Sequence, residues 1–176
     1  MQYFQAFIIG FTLSLDAFSL TLALSMNKLT RTNKLTLISF VTVFHFILPL
    51  LGSIIGNTFI NVINIQIKYL LILVLIFITI SIINSFKENK EIKIYNNFSF
   101  ILLSLMVALD SFSVGIGIKY ITSHIIVTSI IFSLCSFFFT TLALIIGKLI
   151  SLKAGTYSKI LEIIILFTLI IYYLCK

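Results

Sequence analysis

Two aspartates stand inside long uncharged runs, and the residues around them repeat. The first run reads Leu13-Ser14-Leu15-Asp16-Ala17-Phe18-Ser19-Leu20; the second reads Val107-Ala108-Leu109-Asp110-Ser111-Phe112-Ser113-Val114. The shared core is Leu-Asp-(Ala/Ser)-Phe-Ser, with Asp110 lying 94 residues after Asp16. A charged aspartate in the middle of a bilayer costs roughly 2.5–3.5 kcal/mol on insertion scales. Each must therefore be protonated or meet a cation. No Lys or Arg is expected at that depth in any helix, which leaves a bound metal ion, a transported proton, or both. The plainer alternative is two neutral acids hydrogen-bonded to neighbouring helices.

Other groups could join them. Ser19 and Ser113 each follow their aspartate by three residues and so share its helical face. Their hydroxyls could complete an oxygen-rich shell, or simply bond back to a backbone carbonyl. His45, within Phe44-His45-Phe46-Ile47-Leu48-Pro49, is expected at similar depth as a ligand or proton relay, or as one more interhelical hydrogen bond. Thr140 and Thr141 fall roughly where the repeat places His45 and are weaker candidates. The candidate metal set is therefore Asp16, Asp110, His45, Ser19 and Ser113. Glu162, three residues after Lys159, reads as half of an interfacial ion pair. His124 reads as solvated in a short connection. Cys135 and Cys175 suggest no disulfide framework, and Cys135 reads as a small packing residue.

These residues need elements to hold them. The chain has 176 residues, 60% hydrophobic and 10% charged, with a mean hydropathy of +1.22. Soluble chains run about 25% charged, so the solvent here is lipid. A hydrocarbon core of about 30 Å takes roughly 20 residues of helix. The uncharged windows predict helices at 4–26, 35–57, 68–86, 99–121, 125–149 and 159–175. Nothing alternates as a membrane barrel would. The first helix lacks a basic start and a small-residue cleavage site and is expected to stay in the mature protein. The longest connection, about 87–98, is short and charged.

The aspartate repeat then divides the chain into residues 1–90 and 91–176, three helices each. With an odd number of helices per half, the second copy starts from the opposite side of the membrane. That is an inverted repeat, a plan in which transport sites lie near the midplane. The predicted fold class is thus all-α, polytopic, six transmembrane helices as two inverted three-helix repeats. Pro49 removes a hydrogen bond near the carbonyl of His45 and could expose a carbonyl toward a cavity. Gly52 and Gly56 suit close helix approach.

The net charge of +7 does not point to nucleic acid. Nine of the twelve basic residues flank the first, third and fifth connections. Under the positive-inside rule those connections face the cytoplasm and both termini lie outside. No enzyme signature is present. A Gly-x-Ser-x-Gly setting and a His-Glu-x-x-His motif are both missing, and Gly115-Ile116-Gly117 lacks the strand-turn-helix context of a nucleotide loop.

At the level of motifs, Ser14-Leu15-Asp16-Ala17-Phe18 and Ala108-Leu109-Asp110-Ser111-Phe112-Ser113-Val114-Gly115-Ile116-Gly117 resemble the manganese efflux pump family of bacterial inner membranes. Pro49-Leu50-Leu51-Gly52 resembles that family's second helix. The resemblance implies a secondary transporter exporting a divalent cation, with Mn²⁺ as cargo and no permanently bound cofactor. Its partners would be that cation and the lipid bilayer, with a homo-oligomer left open. One departure stands out: exporters of the family usually carry a glutamate four residues before the Pro-Leu-x-Gly segment, and here that residue is His45. The same superfamily includes sporulation-associated membrane proteins, which supply the alternative reading.

Overall fold

A computed structural model describes residues 2–25, 29–63, 67–85, 97–147 and 153–175. These form six α-helices and no strand: α1 (Gln2–Ser25), α2 (Arg31–Ile63), α3 (Ile67–Ser85), α4 (Asn97–Gly117), α5 (Ile125–Ile146) and α6 (Lys153–Cys175). A 3-10 turn, Ile118–Tyr120, follows α4. Four of the helices contain described stretches long and apolar enough to cross a membrane, and α3 carries a shorter apolar run, Leu71–Ile80. The chain is a multi-pass membrane protein. The charged connection 87–98 lies largely outside the described residues, as do Lys28 and Lys148.

The distribution of polarity explains why this bundle suits lipid. Its outer surface carries large apolar side chains such as Phe4, Leu73, Phe138 and Ile145, each well over half exposed. Its interior holds Thr12, Ser14, Ser104, Ser111, Ser136 and His45, all fully buried. Water would penalise that outer surface; a bilayer does not. Most of the inner hydroxyls are satisfied within their own helix. Thr12 donates to the Ile8 carbonyl at 2.8 Å, and Ser104 to that of Phe100 at 2.7 Å.

Among the described residues, the larger contacts all join helices of different halves: α1 with α5 and α6, α4 with α2 and α3, α2 with α5, and α3 with α6, plus a smaller α1–α4 contact. Helix directions follow from the side-chain contacts. Tyr3 stacks on His124, and the Ser14 and Ser136 hydroxyls lie 3.4 Å apart, so α1 and α5 run parallel. Gly52 faces the Phe112 carbonyl and Gly56 that of Ile116, so α2 and α4 also run parallel.

The α2–α4 seam is closed by missing side chains. A Cβ on Gly115 would sit 2.7 Å from the Cα of Pro49, and one on Gly52 would collide with the Phe112 carbonyl. Pro49 lies inside α2. The helix runs unbroken through a buried Pro49, because the bare Gly115 backbone packs directly against it. Gly115→Ala should therefore lower stability by about 1–3 kcal/mol through overpacking, read as a fall in the thermal midpoint of the solubilised protein. Because the helices pair across the halves, residues 1–90 or 91–176 expressed alone should be degraded. Co-expression of the two should restore a detergent-stable complex, checked by pull-down of one tagged half.

Candidate metal site

Asp16 lies two-thirds of the way along α1 and Asp110 in the second half of α4. Both are half-buried, so each keeps one accessible face. Their carboxyls are close enough to act on one another electrostatically.

The two serines follow the plainer of their two readings. Ser19 donates to the Asp16 carbonyl at 3.0 Å, and Ser113 to the Leu109 carbonyl at 3.2 Å. Each hydroxyl proton is thus committed to its own helix, while the oxygen lone pairs stay available.

His45 is fully buried on α2. Its Nδ1 lies 2.9 Å from the Val41 carbonyl, which can only accept, so Nδ1 carries the proton. Nε2 is left with a lone pair and no hydrogen-bond partner among the described residues. Thr140 and Thr141 also have Oγ1 atoms without partners. Along the parallel α2–α4 seam, Gly56 meets Ile116, Gly52 meets Phe112 and Gly115, and Pro49 meets Gly115, offsets of 60 to 66 residues. Those offsets set Asp110 beside residues 44–50, a stretch that includes His45.

Two residues outside the predicted set reach the aspartates. Glu162 on α6 is completely buried, not interfacial, and interacts electrostatically with Asp16, Asp110 and Lys159. Lys159 also acts on Asp16. The expectation that no cation approaches the aspartates is therefore corrected. Its error was in the start of α6: the helix begins at Lys153, not 159, so Lys159 sits nearly two turns inside it. His124 is exposed as expected, with Tyr3 stacked on it. Cys135 is buried in α5 and unbonded.

Among the described residues, no three His, Cys, Asp or Glu side chains converge closely enough to hold a metal ion together. A cavity of about 400 Å³ lies elsewhere, between α1 and α6, lined by Phe4, Ile8, Ile164, Leu169 and Tyr172. Its apolar walls offer an ion nothing to replace its water.

Residues 28–174 match the family described as "Putative manganese efflux pump". The chain belongs to the manganese efflux pump family. It is similar to the "Putative manganese efflux pump MntP" of Bacillus pumilus, 32% identical over 162 residues that cover 90% of this chain and 88% of the relative. The proteins of the same name from Bacillus licheniformis and Bacillus mycoides are each 30% identical, covering 88% and 94% of this chain and 84% and 92% of theirs. No solved structure matches. The span shared with the manganese efflux pump family includes His45, Asp110, Lys159 and Glu162, while Asp16 precedes it.

The tautomer assignment can be checked directly. In ¹⁵N-histidine-labelled protein, His45 should show a protonated Nδ1 and an unprotonated Nε2 at neutral pH. The reverse pattern would mean that the Val41 bond is not formed.

Proposed function

We propose that this protein is a secondary transporter that exports a divalent cation, Mn²⁺ foremost, past a site formed by Asp16 and Asp110. The observation that carries this reading is the placement of two carboxylates with matching neighbours. Both are half-buried and within electrostatic reach of one another, inside a bundle whose outer face is made for lipid. The names of the manganese efflux pump relatives supply the cargo and the direction.

The inverted-repeat plan is supported by the packing. Exchanging α1, α2 and α3 with α4, α5 and α6 converts the α1–α5 contact into α4–α2, and the α1–α6 contact into α4–α3. The parallel pairs α1/α5 and α2/α4 exchange in the same way. That exchange supports reading residues 1–90 and 91–176 as two copies of one unit, inserted from opposite sides. The basic residues around the odd connections orient the bundle with both termini outside.

Ligand chemistry fits a hard ion. Carboxylate and hydroxyl oxygens suit Mn²⁺ or Mg²⁺, and the unprotonated Nε2 of His45 draws the preference toward transition metals such as Mn²⁺. Ser19 and Ser113 can add oxygen lone pairs without giving up their backbone bonds. No nucleotide-binding motif is present in the sequence, so an ion gradient, with protons the simplest choice, drives any uphill step.

Cells carrying Asp16→Asn or Asp110→Asn in place of the wild-type gene should accumulate manganese and become sensitive to it. Ser19→Ala and Ser113→Ala should weaken export less than about tenfold, the lower bound for losing a supporting ligand. Cell manganese measured by elemental analysis checks both. Unchanged manganese in the two aspartate variants, accompanied by a sporulation defect, would replace this reading with that of a sporulation membrane protein.

A further inference from the structure

The arrangement of Glu162 and Lys159 has a function of its own if the transport reading holds. Gln5 on α1 donates a hydrogen bond to the Tyr172 hydroxyl on α6 at 3.1 Å. Farther along, Ile8 and Thr168 line the same cavity, so the two helices run antiparallel. Asp16 lies eleven residues on from Gln5, and eleven residues back from Tyr172 is residue 161. At about 1.5 Å per residue, Asp16 and Glu162 therefore lie at nearly the same depth. Their electrostatic interaction agrees with that register.

Glu162 is fully buried, and neither carboxyl oxygen accepts a hydrogen bond among the described residues. A buried acceptor left unsatisfied bears its whole desolvation cost. Helix packing alone gives no reason for such a group beside the Ile163-Ile164-Ile165-Leu166-Phe167 run of α6. Lys159 precedes it by three residues, on the same face of α6, and acts on both Asp16 and Glu162.

We propose that Asp16 and Glu162 form a divalent-cation subsite in which the Lys159 ammonium is a tethered competitor, displaced when the ion arrives. With an ion bound, ionised Asp16 and Glu162 supply two formal negative charges, the complement of one divalent ion. A doubly charged ion attracts the carboxylates twice as strongly as an ammonium at equal distance, so it can take the ammonium's place. Lys159 then helps to expel the ion by returning. All of these donors are oxygens, which favours hard ions over soft ones. The carboxylates stand apart in this conformation, and the ion draws them together.

The proposal rests on the transport reading, and one experiment separates them. Mn²⁺ binding to the full-length protein in detergent micelles is measured from the electron paramagnetic resonance signal of free Mn²⁺. Glu162→Gln should weaken binding by about 10- to 100-fold, and Glu162→Asp by less. Lys159→Met should tighten binding and slow efflux. If Glu162→Gln binds like wild type while Asp16→Asn does not bind, the subsite is overturned and the transport reading stands. If Asp16→Asn and Asp110→Asn both bind like wild type, both fail. If Lys159→Met weakens binding, Lys159 is a supporting residue and the competitor role is overturned. Should Glu162→Gln not elute as a monodisperse species, Glu162→Asp decides by the same criterion.

Discussion

In lipid, a polar group has no solvent to fall back on, and every backbone and side-chain donor or acceptor must be satisfied inside the protein. The bundle answers that requirement in two ways, while His45 Nε2, the Thr140 and Thr141 hydroxyls and the Glu162 oxygens stay without hydrogen-bond partners among the described residues. Serines and threonines turn back onto carbonyls of their own helices, as Thr79 does onto Leu75 and Ser111 onto Ala108. Those groups become electrically quiet and allow close helix packing. The second way applies where a residue cannot satisfy itself. Carboxylates only accept when ionised, and a helix interior offers them no spare donor. Ionised, Asp16, Asp110 and Glu162 would each need a cation. The three carboxyls lie within electrostatic reach of one another, and Lys159 reaches Asp16 and Glu162.

The same constraint bears on how the protein can move. A two-copy plan suggests two bodies rocking against each other. Yet the larger described contacts run between the halves, and the tightest seam, α2 on α4, is closed by backbone against backbone at Gly52 and Gly115. Moving one half as a unit would break nearly all of these contacts at once. Shifting the parallel pair α1/α5 against α2/α4 keeps those two seams intact and must slide the α2–α5 contact. The thin α1–α4 contact, which joins the helices carrying Asp16 and Asp110, is where such a shift meets least resistance.

Much of this was legible in the sequence. Helix number follows from uncharged windows because lipid excludes charge, and the aspartate repeat was visible because both copies kept Leu-Asp-x-Phe-Ser. Helix ends were less legible. α2 extends to Ile63 and α6 back to Lys153, since polar residues can continue a helix beyond the hydrocarbon. An α6 that begins at 159 puts Glu162 and Lys159 at the membrane interface and hides their relation to Asp16. Register between helices is a tertiary property, carried here by single contacts such as Gln5 with Tyr172, and no local pattern encodes it. The proton on His45 Nδ1 was likewise invisible until Val41 was seen to accept from it.

A lysine inside the bundle changes how charge selection can be understood. With aspartates alone, any cation small enough would be attracted. With an ammonium already acting on Asp16 and Glu162, an incoming ion must do better than that ammonium. Monovalent ions offer the same charge and no gain in Coulomb energy, whereas a divalent ion offers twice as much. The desolvated, partnerless oxygens of Glu162 sharpen the difference, because the attraction is strongest where water is excluded. Valence is then discriminated by an internal competitor, and the nitrogen of His45, on the stretch of α2 beside Asp110, bears on which divalent ion is preferred.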